Sequence, residues 1–442
     1  MNPPCRTGTP PSDGDRLRHN RARTGHSVLV VATALAVACS DSPTEPPAGS
    51  GTWTQVAAGR AHACALTDRG RVYCWGSNST GQAGVPGTDP VLRPTLVQTE
   101  ERFTLIDAGG DNSCAMTERG ELFCWGTNQM GQIGNGGISN ALLPVPVDGG
   151  AKWTSFSVGA YHICALDVPG EIHCWGGDRW DVALGFRAPA TCTAPAFEAR
   201  WPCMGVPRSS EKGSGYAWVD VGLYQTCGGR TGESAVCWGT NGVGQLGTTS
   251  EDECANNDTL HPLTDPCSRD PVSPDGLSLS RLSPGVTHGC GLDTQGSPHC
   301  WGALQLNFGQ LGNGSTDGAA APVPVSGLAN LASVVSSNAN NIRTFSCGID
   351  GGGQAYCWGA NRWGQLGGMS QDICQQGGDL PCSLTPLPAE TSEAIDHLAL
   401  GAEFACALSS DANVLCWGLN DTGQLGDGTT TARELPASIL EP

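Results

Sequence analysis

The sequence predicts an all-β chain: a seven-bladed β-propeller of four-stranded antiparallel blades, with one disulfide per blade. Three observations carry this. The tripeptide Cys-Trp-Gly recurs seven times, at Cys74, Cys124, Cys174, Cys237, Cys300, Cys357 and Cys416. A second cysteine stands ten residues before each of these, at Cys64, Cys114, Cys164, Cys227, Cys290, Cys347 and Cys406. Between them run short apolar segments at a spacing of about 8–12 residues, separated by Gly-rich turns, as in all-β repeat folds.

The first element is a targeting segment. Arg6, Arg16, Arg18, Arg21 and Arg23 face only Asp13 and Asp15, and an unbroken apolar run follows from Val28 to Ala38. A basic stretch leading into a short apolar one is the order of an export signal, here residues 1-38. Ala36-Val37-Ala38-Cys39 resembles the bacterial lipoprotein processing site, although Leu35 sits one position further upstream than that site prefers. The resemblance implies lipidation of Cys39 and anchoring in the bacterial cell envelope. The alternative is cleavage after the small residues with Cys39 unmodified. Residues 39-51 are polar and Pro-rich, a semi-extended tether. The propeller occupies 52-442.

Each repeat opens with a strand like Trp53-Thr-Gln-Val-Ala-Ala, followed by one like His62-Ala-Cys-Ala-Leu and one like Val72-Tyr-Cys-Trp-Gly. The fourth resembles Leu143 to Val147. Ten-residue spacing does not suit zinc, whose paired ligands stand closer in sequence. It does suit a hairpin. Setting Cys64 opposite Cys74 aligns Ala65 with Tyr73 and Leu66 with Val72, and leaves a three-residue loop with Gly70 where the chain needs positive φ. Cysteines directly opposite one another can be bridged. Three further pairs, Cys192 with Cys203, Cys254 with Cys267 and Cys374 with Cys382, lie in segments that lengthen their repeats. With Cys39 reserved for lipid and Cys5 leaving with the signal, all 22 cysteines are assigned. A solenoid would carry atypical end repeats. Here the first and last repeats read like the others, which favours a closed ring whose termini complete one blade or abut.

The pattern G-x-x-H-x-C-A-L…G-x-V-x-C-W-G-x-N-x-x-G-Q-L-G resembles the repeat of the regulator of chromosome condensation family, over roughly residues 52–442. The resemblance implies a seven-bladed propeller. The paired cysteines look like those of exported bacterial members, among which are β-lactamase inhibitory proteins.

Strand parity then selects a face. Loops alternate ends in an antiparallel blade, so the one-to-two and three-to-four connections share one face. All three cysteine-bearing insertions fall in three-to-four connections, and the extension Ser336 to Arg343 falls in a one-to-two loop. Variable loops on a rigid scaffold are where binding resides. On this face the variable position of the N-x-x-G-Q loop holds Thr80, Met130, Trp180, Val243, Phe308, Trp363 and Thr422, and Tyr161 and Tyr224 precede second strands. Tyr161, Tyr224, Trp180, Trp363, Met130 and Phe308 are therefore the candidate binding residues. In the inhibitory relatives the pre-strand position carries aromatic contacts, which the resemblance transfers to Tyr161 and Tyr224.

Composition and motifs narrow the function. A formal charge of −19 disfavours nucleic acid. His62, His162 and His288 recur at one repeat position, which points to structure. HExxH, GxSxG and phosphate-loop motifs are absent from the sequence, and neither a cofactor nor a metal is expected. The sequence thus reads as a monomeric, non-catalytic, exported lipoprotein whose loop-rich face binds a protein outside the cytoplasm and which meets the membrane only through its lipid. The alternatives are glycan binding and, by family resemblance, guanine-nucleotide exchange.

Overall fold

The computed structural model describes residues 51–194, 199–250, 252–255, 263–338, 343–374 and 380–442. The export segment, Cys5, Cys39 and nearly all of the tether lie outside them. Seven antiparallel sheets follow one another along the chain, each drawn from one contiguous stretch. The first uses Trp53–Ala58, His62–Thr67, Val72–Gly76 and Val91–Leu96; the seventh uses Ile395–Leu400, Phe404–Ser409, Val414–Gly418 and Arg433–Ser438. The first strands of all seven blades line a common central cavity of about 690 Å³, so each blade begins at the axis and runs outward.

Four blades have four strands. The third, fourth and sixth have five, a correction to the uniform four-stranded expectation. In these blades the fourth strand is long (Ala199–Ser209, Thr264–Val272, Leu380–Pro388) and only its second half pairs with the third strand throughout. Its overhanging first half would leave a row of unpaired backbone groups. The insertion supplies an extra strand to pair with it: Ala190–Ala194, Asp252–Ala255 and Asp372–Cys374.

All ten cysteine pairs stand at bonding distance. In the blade hairpins the two cysteines are direct partners, as Cys64 opposite Cys74. In the insertions they are diagonal: Cys192 faces Trp201 while Cys203 faces Ala190, and the other two insertions repeat this offset. Two kinds of clip therefore share one molecule.

Cys-Trp-Gly has a separate reason at each position. The cysteine closes the hairpin. Each tryptophan is buried and donates its Nε1–H to a backbone carbonyl of the preceding blade: Trp125 to Gln82, Trp175 to Gln132, Trp238 to Ala183, Trp301 to Gln245, Trp358 to Gln310 and Trp417 to Gln365. Trp75 donates to Gln424 at 2.9 Å, which carries the same stitch from the first blade to the last and closes the ring. The glycine takes positive φ, and at Gly126 a Cβ would lie 2.2 Å from the Asp111 carbonyl oxygen.

Candidate functional site

The loop-rich face is built from one repeated device. In Asn-x-x-Gly-Gln, the asparagine Oδ1 accepts from the backbone N–H five residues on, as from Ala83 to Asn78 and from Leu366 to Asn361. The glutamine Oε1 accepts from the N–H of the variable residue, as from Met130 to Gln132 and from Trp363 to Gln365. Both bonds fix the loop and hold the variable side chain out on a constant frame. Of the four Asn-x-Ser/Thr matches in the sequence, Asn78 and Asn420 are such turn asparagines, both buried; Asn313 accepts from the Ser315 N–H in a turn, and Asn257 lies outside the described residues. In the third blade the loop is one residue longer, and Asp181 takes the positive φ that glycine has elsewhere.

What covers the variable side chain differs by blade, and the difference follows a rule. Met130 of the second blade packs with Trp201 and Cys192 of the third blade's insertion. Trp180 of the third packs on Cys254 and Cys267 of the fourth. Phe308 of the fifth packs on Cys374 and Cys382 of the sixth. An insertion hairpin thus lies over the display position of the blade before it. Met130, Trp180 and Phe308 are 6%, 8% and 2% exposed, so they act as seats for the insertions and not as free anchors. Trp363 belongs to the sixth blade, and the seventh has no insertion. It stays partly exposed, with the Arg362 guanidinium 5.1 Å from its ring centroid.

Tyr161 and Tyr224 do meet, but as a packed cluster. Their rings stack with centroids 5.5 Å apart, and Tyr161 meets Trp201 edge-on at 5.1 Å. Tyr161 is buried, while Tyr224 keeps a partly exposed edge. Burial raises the Tyr224 phenol above its ordinary value, and the neighbouring Arg179 works against that shift. Arg179 also lies over the rings of Trp180 and Trp201. The sequence reading did not single out Trp201 or Arg179; their part depends on how the third blade's insertion folds back.

The axial cavity is lined along the whole length of the first strands and includes Asn338 of a one-to-two loop. Among its wall residues, Asp107 accepts from the Val158 N–H at 2.8 Å, and Ser157 accepts from the Val221 N–H while donating to Asp220. Burial pushes the Asp107 carboxyl up to about 7 and Asp220 up to about 6, with Asp220 adding to the effect on Asp107. Ser337 accepts from Val286 N–H, and Asn338 donates to the Val221 carbonyl. The described start of the sixth blade's extension therefore spans to the fifth and fourth blades beside the cavity.

A clipped ring with one elaborated face is the form of a propeller-type binding or regulatory scaffold. Models of the Regulator of chromosome condensation (RCC1) repeat match residues 53–82, 103–132 and 395–424 in one form, and 69–116, 119–166 and 352–408 in another. The chain carries RCC1 repeats in these stretches. It is 29% identical over 204 residues to the E3 ubiquitin-protein ligase HERC2 of Homo sapiens, covering 45% of this chain and 4% of that protein. It is 26% identical over 218 residues to the ultraviolet-B receptor UVR8 of Arabidopsis thaliana, covering 47% of this chain and 42% of that one. The chain thus spans less than half the length of either relative. Among solved structures, one chain of the crystal structure of the complex between Kap60 and yeast RCC1 (Prp20) aligns with TM-score 0.67 at 19% identity, over 85% of both chains. Prp20p from Saccharomyces cerevisiae aligns at 0.62 and 20% identity, over 81% of this chain and 84% of that one.

Proposed function

We propose that this propeller is a non-catalytic protein-binding module, exported and held to the cell envelope by a lipid on Cys39, and that Trp363 is the principal anchor on its loop-rich face. One observation carries the choice of anchor. Three large display residues are each covered by the following blade's insertion, whereas Trp363 precedes a blade without one and keeps an open flank. A tryptophan stiffened by a stacked arginine on a disulfide-clipped frame loses little freedom on binding, which favours it as a hot spot. The solved neighbours have protein partners of their own (Kap60 for yeast RCC1, Gsp1p and histones for Prp20p), in keeping with a protein-binding class. Ten disulfides suit an oxidising compartment.

A photo-cross-linking residue at Arg362, compared with one at Arg119 in a short turn of the opposite face, tests the reading in the native envelope. Cross-links to a protein from position 362 and none from 119 are expected. Once that protein is in hand, Trp363→Ala should weaken its binding by about 2 kcal/mol or more. Cross-linking from position 119 alone overturns the face, and binding only to a glycan array replaces protein by polysaccharide. Mass spectrometry of the purified N-terminus tests the lipid: a free, unmodified Cys39 removes the anchor from the proposal.

A further inference from the structure

The opposite, short-turn face holds a cluster of side chains that the binding reading does not use. Asp167 ends the second strand of the third blade (His162–Asp167), Glu171 lies in its hairpin turn, and His173 is the second residue of the third strand (Ile172–Gly177). The His173 Nε2 stands 3.0 Å from Asp167 Oδ2 and 3.9 Å from Glu171 Oε2, and one donor atom from each residue falls within 4.8 Å of the others. We propose that Asp167, Glu171 and His173 form a binding site for a divalent transition-metal ion of the zinc class.

The donor geometry fits. An ion about 2.0–2.2 Å from each of one imidazole nitrogen and two carboxylate oxygens holds its ligands roughly 3–4 Å apart. Each carboxylate is also tethered by its other oxygen. Asp167 Oδ1 accepts from the Glu171 N–H at 2.8 Å, and Glu171 Oε1 accepts from the Ser209 hydroxyl. This leaves Oδ2 and Oε2 turned to one point, the arrangement in which outer partners orient metal ligands. The His173 ring is braced edge-on by Trp153 at 5.4 Å, and the Cys164–Cys174 clip sits next to it. Asp167 and His173 are 19% exposed at the side chain and Glu171 37%, so water can complete the coordination shell.

Charge argues the same way. An Asp167–His173 pair alone would be satisfied, but the second carboxylate leaves the point net negative even when the imidazole is protonated. A divalent cation offsets both acids at once. One imidazole with two carboxylates suits zinc, cobalt or manganese better than calcium. The set belongs to one blade: the second blade has Glu121 with Phe123, and the fifth has Asp293 and His299 but Ser297 where the third has Glu171.

The full chain, stripped with chelator, is titrated with Zn²⁺ by calorimetry and with Co²⁺ by visible absorption, alongside Glu171→Gln, His173→Gln and the control Glu121→Gln. Metal-free thermal unfolding confirms that each variant folds, and Glu171→Gln, which can keep the Ser209 bond, decides the matter if His173→Gln does not. One equivalent of ion should be lost, or weakened about tenfold or more, in the Glu171 and His173 variants and unchanged in the control. Equal stoichiometry and affinity in all four proteins, or no binding by the parent, overturns the site.

Discussion

At the residue scale, the three recurrent histidines have a defined protonation. The Ser113 hydroxyl donates to the Gln82 carbonyl, so its single proton is spent and His62 must donate from Nε2. Thr226 and Ser346 fix His162 and His288 in the same way. Each Nδ1 is then a buried acceptor with no partner, and burial pushes all three histidines down to about 3. Because the folded value lies below the ordinary 6.5, protonation favours the unfolded chain, and the stability these groups contribute is lost as pH falls from 6.5 toward 3. Asp107, at about 7, has the opposite sign: the folded chain holds a proton the unfolded one releases, so stability rises as pH falls from 7 toward 4. Denaturant midpoints against pH should show it. His162→Gln should flatten the loss below pH 6.5 by up to about 1.4 kcal/mol per pH unit relative to the parent, and Asp107→Asn should remove a gain of similar slope between pH 7 and 4. The stitching tryptophans give a second comparison. The Gln82 carbonyl accepts from Ser113 as well as Trp125, whereas the corresponding second-strand residue beside Trp175 is Ile163, which has no hydroxyl. Both substitutions leave a similar cavity, but only Trp175→Phe also strands a buried carbonyl, so it should cost about 1–3 kcal/mol more than Trp125→Phe. The tryptophans were legible as repeated core residues because they are periodic. Their carbonyl partners were not, since each lies in a different blade.

At the scale of elements, the insertion hairpin and the display residue before it act as a unit. Strand parity located every insertion on one face from the sequence alone. It did not show which way the hairpins lie, and so Met130, Trp180, Phe308 and Tyr161 read as free aromatic and aliphatic anchors when they are covered. The cover is non-local: Trp180 is closed by a disulfide more than seventy positions further along the chain. The metal-site residues escaped notice for a related reason, because Asp-x-x-x-Glu-x-His becomes a cluster only when the hairpin turn brings the ends together. Removing one cover tests the unit. In Cys254→Ala/Cys267→Ala the fourth blade's insertion loses its clip, worth roughly 2–3 kcal/mol in the chain-entropy treatment. Hydroxyl-radical footprinting should then show Trp180 becoming reactive, with Phe308 unchanged under its own insertion and Trp363 reactive in both proteins. Protection of Trp363 in the isolated parent would mean that its flank is already closed.

At the scale of the molecule, the ring closes without strand exchange. The first blade is complete from Trp53 to Leu96 and the last from Ile395 to Ser438, so the ends abut and neither supplies a strand to the other. Closure rests on side chains and loops. Trp53, Val56 and Trp75 share one core with Phe404, Leu408, Val414 and Ile439. Trp75 bonds the Gln424 carbonyl, and Thr422 donates to the Ala61 carbonyl at 3.1 Å. Seven similar repeats made the blade number legible by counting, but an abutting closure and an exchanged strand leave the same repeats in the sequence. The interface between blades seven and one uses the same tryptophan stitch as every other, so the position of the chain break should be nearly free to move. A circular permutant that joins Pro442 to Thr52 through a short flexible linker and opens between Gly149 and Gly150 tests this. Neither glycine has a neighbouring atom within 4 Å of where a Cβ would sit, and both lie in the exposed link between the second and third blades. The permutant should fold with all ten disulfides and unfold within a few degrees of the parent, because every blade interface is kept and only a loop is cut. A large fall in melting temperature, with Trp175 newly reactive in footprinting, would show that the second-to-third interface needs its covalent link where the seventh-to-first does not, and that the natural order of blades matters for closure.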